Sequence, residues 1–258
     1  MEDEVTSTEG RIDGRLLAVG DIHGCVDELA ALLRAIAPGA GDTVVFLGDY
    51  VDRGPSSRGV IDLLIELRDS RRCETVFLRG NHEDMFFAYL GEEGSHGEAF
   101  LFNGGRATLA SYGFAPPVRG AQALQRLPES HVAFLRALKL WYLCEPFLFV
   151  HAGISPLRGL EDQKKEDLLW IREEFIRNRH RLPQTVVFGH TPQREVLWHL
   201  PFKIGLDTGC VYGNKLSCLD FTARSLVQVE RESAVVTRCD VPAALAQVSG
   251  LKGRSGGV

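Results

Sequence analysis

Seven side chains capable of metal binding or proton transfer stand at or just beyond the ends of apolar runs in this chain. "RLLAVG" leads into Asp21 and His23, "TVVFLG" into Asp49, and "ETVFLR" with Gly80 into Asn81 and His82. "FLFV" meets His151 and "TVVFG" meets His190. Any one of these residues is explained by a turn or a helix cap. Together they place half of the eight histidines at such exits, which packing alone does not explain. The other four (His96, His131, His180 and His199) show no such placement and read as surface or packing residues. Asp21, His23, Asp49, Asn81, His151 and His190 offer oxygen and imidazole donors without a thiolate, a set suited to Mn²⁺, Fe²⁺ or Zn²⁺. Six side chains are too many for one catalytic ion with an open position. Two ions sharing a carboxylate need about this many, and Asp49 can be the bridge. Cations there also offset the heavy cost of burying that carboxylate.

The elements that must position these residues follow from the apolar pattern. The runs are four to six residues long, β-branched and without alternation, as expected for strands buried on both faces. "VDELAALLRAI" and "SSRGVIDLLIELRDS" between them repeat apolar residues at helical spacing. That rhythm predicts an α/β fold, a two-sheet β-sandwich flanked by helices, with ligands at the carboxyl ends of the strands. "KLSCLDFTA", "SLVQVER" and "SAVVTRCD" near the end predict a second, partly antiparallel sheet. A single domain is expected over 14–240. Within it, 84–145 reads as a helical insertion over the site rim that sets specificity, and 1–13 and 241–258 read as flexible ends.

Composition narrows the function classes. With 258 residues, 45% apolar and 24% charged, the chain is an ordinary globular protein. A net charge of −5 disfavours general attraction to nucleic acid or anionic membrane, and no basic stripe interleaved with aromatics appears. Six scattered cysteines form no C-x-x-C pair, which disfavours a zinc ribbon or redox motif. Reduced thiols, no apolar run of membrane length and an acidic polar start predict a cytoplasmic location. Nothing in the pattern points to a particular oligomeric state.

"GDIHG", "GDYVDRG", "GNHE", "HAG" and "GHT" occur in that order, with "GNHE" about 30 residues after "GDYVDRG". On these motifs the chain resembles the phosphoprotein phosphatase family of the calcineurin-like metallophosphoesterases over roughly residues 16–221. The resemblance implies Asp21, His23 and Asp49 at a first metal, and Asp49, Asn81, His151 and His190 at a second, with Mn²⁺ the expected ion and Fe or Zn possible. It implies Arg53 and, in "LLWIREEF", Arg172 as the phosphate grip, with Asn81 also near substrate. It implies His82 as general acid with Asp52 as its partner. The implied reaction is hydrolysis of phosphoserine and phosphothreonine by a hydroxide held between the two ions. The alternative substrate is diadenosine tetraphosphate or another nucleotide. Glu83 of "GNHE" leans toward the protein phosphatases, whereas "LLWIREEF" and "LDTGCVYG" point to the bacterial and phage branch. A phosphoprotein or a phosphorylated small molecule is thus the expected partner, with no stable nucleic-acid or membrane partner.

Overall fold

The computed structural model describes residues 13–114 and 118–248. Of the ends expected to be flexible, 1–13 and 241–258, residues 1–12 and 249–258 lie outside those residues. β1 (Leu16–Val19), α1 (Val26–Ile36), β2 (Thr43–Phe46), α2 (Ser57–Ser70) and β3 (Glu74–Phe77) open the chain as a strand–helix repeat. A helical stretch follows: α3 (Asn81–Leu90), α4 (Arg106–Ser111), α5 (Gly120–Leu124) and α6 (Glu129–Arg136). Next come β4 (Trp141–Cys144), β5 (Phe147–Val150), α7 (Lys165–Trp170), α8 (Glu173–Arg177), β6 (Thr185–Phe188), β7 (Leu197–His199) and β8 (Lys203–Gly205). β9 (Lys215–Asp220), β10 (Ser225–Glu230), β11 (Val236–Asp240) and α9 (Leu245–Val248) complete it.

The strands form two sheets, ordered β11-β10-β9-β1-β2-β3 and β4-β5-β6-β8-β7. β1, β2 and β3 run parallel, as do β5, β6 and β8, while β4, β7 and β9–β11 pair antiparallel. Strand parity sorts the core into layers. Leu16, Ala18 and Val45 meet Phe147, Phe149, Val187 and Ile204 between the sheets. Leu17, Val19, Val44 and Phe46 face the other way onto the α1 and α2 side. Leu148, Val150, Val186 and Phe188 pack with Leu168 of α7 and Phe175 of α8. Strands without polar alternation are therefore covered on both faces, as their sequences require.

Two features depart from the sequence expectation. The C-terminal strands do not found the second sheet. β9 pairs with β1, Leu17 opposite Asp220, and extends the first sheet, because β1 needs a partner on the side away from β2. The second sheet gains β4, which lies inside the expected helical insertion, so within 84–145 the helical stretch stops at Arg136. That stretch also joins the helical layer. α4 and α6 lie against α2, and Phe100, Leu109 and Phe134 are buried in the first sheet's outer core. Within the expected loose tail, α9 buries Leu245 against the inter-sheet core.

Candidate active site

All the residues singled out from β1, β2, β3, β5 and β6 follow those strands at their carboxyl ends, and hydrogen bonds tie the five loops together. Glu83, in the first turn of α3, is the central organiser. Its buried carboxylate accepts N–H groups from Asp49 (2.9 Å), Tyr50 (2.8 Å), Val51 (3.1 Å) and Gly80 (2.9 Å). Burial and the neighbouring Asp49 push its pKa up to about 8, against the downward pull of those N–H groups. These bonds hold a strained backbone. His23, Asp49, Asp52, Arg53 and His190 all have positive φ, between 45° and 72°, a region that costs a non-glycine residue on the order of 1–3 kcal/mol. Gly48 is obligatory beside them. At φ +103, an added Cβ would stand 2.7 Å from Gly80 N and 2.9 Å from His151 Nδ1. Glu83→Ala leaves four buried N–H groups without an acceptor. At about 1 kcal/mol or more for each, unfolding stability is expected to fall by at least about 4 kcal/mol, with turnover falling in step. Chemical denaturation checks this, and an unchanged midpoint would remove Glu83 from its organising role.

The donor atoms converge on Asp49. His23 and His151 each hydrogen-bond a backbone carbonyl through Nδ1, Val51 O and Leu47 O respectively, both at 2.8 Å. Since a carbonyl only accepts, Nδ1 carries the proton, and the Nε2 lone pairs face Asp49 at 3.3 and 3.4 Å. Asn81 Oδ1 stands 3.0 Å from His151 Nε2 and 2.9 Å from His190 Nδ1. His151 Nε2, Asn81 Oδ1 and the Asp49 carboxylate are thus three acceptors crowded together, and His190 Nε2 is buried with no partner. Two clusters of potential ligands emerge, Asp49–His151–His190 and His23–Asp49–His82, sharing Asp49. Acceptors packed against acceptors repel unless a cation lies among them, so this donor set fits two divalent ions held by nitrogen and oxygen. Asp21 stands outside both clusters. Its carboxylate accepts the backbone N–H of His190 at 2.9 and 3.1 Å, and burial with the nearby Asp207 and Asp49 charges raises its pKa well above the usual carboxylate range.

The same surroundings set the other protonation states. Burial works to raise the pKa of Asp49, but the positive charge that the facing imidazoles of His151, His82 and His23 carry when protonated, a charge that a bound cation would supply in its place, outweighs it and holds the group well below the usual range. Burial pushes His190 down to about 2, helped by His151 and Arg172, so its imidazole is a neutral donor.

His82 and Asp52 form a buried pair, Nδ1 to Oδ2 at 2.6 Å. Burial drives the His82 pKa down and raises that of Asp52 to about 8. Both charged forms are disfavoured, so the two groups hold a proton between them. Sequence reading missed what orients this pair. Thr108 Oγ1 donates to Asp52 Oδ1 at 2.6 Å, and the Asp52 N–H is received by Thr108 Oγ1 (2.8 Å) and Ser57 Oγ (3.0 Å). Asp52 therefore turns to His82, and no local Asp52–Arg53 pair caps α2. The "NGG" segment before α4 carried the available signal. Gly104, at φ +108, accepts the Arg53 N–H at 3.2 Å, and a Cβ there would meet Arg53 Cγ at 2.7 Å.

Arg53 reaches His23 Nε2 with Nη1 at 2.5 Å and lies over the ring of Tyr212, 5.5 Å from its centroid. Arg172, on the residue before α8, donates to His190 O at 3.2 Å. Buried Lys203 caps α8 by donating to the Asn178 carbonyl at 2.6 Å. The Arg53 guanidinium thus contacts His23 of one cluster and that of Arg172 the backbone of His190 in the other, and a guanidinium is the side chain whose donors match phosphate oxygens. Asp207 accepts the Gly209 N–H at 2.9 Å, a turn, and makes no hydrogen bond to His190.

Comparison with known proteins agrees with this geometry. A family model described as calcineurin-like phosphoesterase matches residues 14–216. The chain is 27% identical over 239 residues to an asymmetrical bis(5'-nucleosyl)-tetraphosphatase of Anoxybacillus flavithermus, covering 82% of this chain and 92% of that protein. It is 32% identical over 218 residues to serine/threonine-protein phosphatase 1 of Salmonella typhimurium, covering 77% and 88%. Among solved structures, a protein provisionally described as a diadenosine tetraphosphatase superposes with a TM-score of 0.65 at 28% identity, covering 87% of this chain and 96% of that one.

Proposed function

The chain belongs to the calcineurin-like phosphoesterase family, and from that premise we propose that it is a binuclear phosphatase acting on phosphoserine and phosphothreonine. It is a hydrolase of phosphoesters. The observation that carries the finer reading is the buried His82–Asp52 pair beside the Asp49 donor clusters. Asp21, His23, Asp49, Asn81, His151 and His190 would hold two divalent ions, with Mn²⁺ proposed. When bound, such ions supply Lewis acidity at a phosphoryl oxygen and a water made nucleophilic near neutral pH. The chain's own residues do the rest. Arg53 and Arg172 grip the non-bridging oxygens and set the phosphate in line. His82 delivers the Nε2 proton to the departing ester oxygen, while Asp52 accepts from Nδ1 and stabilises the charged ring that precedes transfer. Burial of the ligands at 0–4% exposure keeps bulk water from screening these interactions.

The 32% identical phosphatase supports the phosphoprotein reading. A second reading, cleavage of dinucleoside tetraphosphates, draws on the tetraphosphatase relatives and on one structural observation. The Arg53 guanidinium lies over the ring of Tyr212, and that residue is 61% exposed, so an aromatic side chain beside the site is accessible to a base. Rates for a phosphothreonine peptide and for diadenosine tetraphosphate, compared in the wild type and in Tyr212→Ala, test the choice. Under the first reading the peptide is preferred and the variant changes neither KM by more than about twofold. Preferred tetraphosphate cleavage, with KM raised about tenfold or more in the variant, would replace that reading by the second.

A further inference from the structure

Beneath the catalytic loops lies a second group of ligand-type side chains that plays no part in the chemistry above. Cys25 stands at the N-terminus of α1, Glu28 at the third residue of that helix, and Cys210 at the start of the turn Cys210–Tyr212. All three are at most 2% exposed. Both sulfurs and a Glu28 carboxylate oxygen lie within 4.8 Å of one another. Glu28 Oε1 is fully engaged, accepting from Arg231 Nη1 at 2.6 Å and from Glu232 N–H at 2.9 Å. Its Oε2 is buried with no hydrogen-bond partner, and a bare buried carboxylate oxygen is a costly feature for simple packing to retain.

We propose that Cys25, Glu28 and Cys210 form a third cation site, separate from the Asp49 centre, that takes a thiophilic divalent ion of the zinc class. The donors are of the right kind, two thiolates and a carboxylate. The geometry is close. In a tetrahedral zinc site with Zn–S near 2.3 Å and Zn–O near 2.1 Å, ligand atoms stand roughly 3.5–3.8 Å apart, so a contraction of at most about 1.3 Å from the 4.8 Å bound suffices. The charge also balances. Glu28 with Arg231 is neutral, and a dication entering with loss of the two thiol protons to solvent leaves the net charge of the group unchanged. Cys25 Sγ now donates to the His23 carbonyl at 3.6 Å, a weak contact that ligation would replace. Binding would join the loop bearing Asp21 and His23 to the turn bearing Tyr212, and so hold the two sides of the substrate approach at a fixed separation.

Co²⁺ is the suitable probe, because thiolate ligation gives a near-ultraviolet charge-transfer band that a centre of nitrogen and oxygen donors cannot produce. The reduced full-length protein, stripped of metal, is titrated with Co²⁺ and followed by absorbance and native mass spectrometry. Three bound ions and the charge-transfer band are expected. In Cys210→Ser the band should vanish with two ions retained. In Glu28→Gln, which keeps both thiols, the third ion should bind at least tenfold more weakly. Absence of the band in the wild type, or an equal band in Cys210→Ser arising from another cysteine such as exposed Cys239, overturns the site.

Discussion

Replacing His82 by alanine is expected to lower turnover of a phosphothreonine peptide by about 10²–10⁴-fold, while hydrolysis of p-nitrophenyl phosphate falls far less. The difference lies in the leaving group. Threonine leaves as an alkoxide that must be protonated as the bond breaks, whereas p-nitrophenolate is stable without a proton. The geometry assigns the proton to Nε2, because Nδ1 is engaged by Asp52 at 2.6 Å. The backbone N–H of His82, which donates to Asp49 Oδ1 at 3.1 Å, survives the substitution, so the Asp49 cluster keeps that support. Asp52→Asn should show a smaller loss. Its amide can donate to Nδ1 and keep the hydrogen on Nε2, but it no longer stabilises the charged ring, so the imidazole becomes a poor acid. Steady-state rates on the two esters decide the matter. Equal losses on both would show that His82 acts on the phosphate or the ligand set and does not protonate the leaving group.

The second large effect belongs to Asp49. It is the only residue common to both donor clusters, and the surrounding imidazoles hold it ionised despite its burial. Asp49→Asn keeps the shape and removes the charge. The variant is expected to bind fewer than two ions by native mass spectrometry, and its turnover should fall on the order of 10³-fold or more, the equivalent of several kcal/mol of lost stabilisation. Added metal should not restore it. In the wild type, by contrast, chelation should abolish turnover and re-addition of Mn²⁺ should recover it. A variant that still binds two ions with ordinary affinity would mean that Asp49 is not the shared ligand.

Much of this was legible before any fold was known. Residue types at the ends of apolar runs pointed to the candidate donor set, since Asp, His and Asn after a buried strand have few other uses in such numbers. The strand–helix rhythm named an α/β sandwich, because uninterrupted β-branched runs need cover on both faces. Sheet membership was not legible. Whether "KLSCLDFTA" lies beside β1 or in another sheet depends on which strand lacks a neighbour, a property of the assembled fold, and β9 pairing with β1 settles it.

The sequence by itself thus determined the fold class and the family, and supplied the residue types from which the proposed ligands, phosphate grip and proton carrier are drawn. Only the tertiary structure decided orientation. Glu83 reads in sequence as one letter of a motif, but its four backbone bonds emerge only when two loops are brought together. Thr108 gives no sign of its contact with Asp52, because that bond spans a helical segment whose course depends on burying Phe100 and Leu109. The same holds for Cys25 and Cys210, scattered in the chain yet adjacent in the fold. Residue type is a local property and can be read from the chain, whereas the direction of a lone pair depends on contacts made by residues far away in sequence.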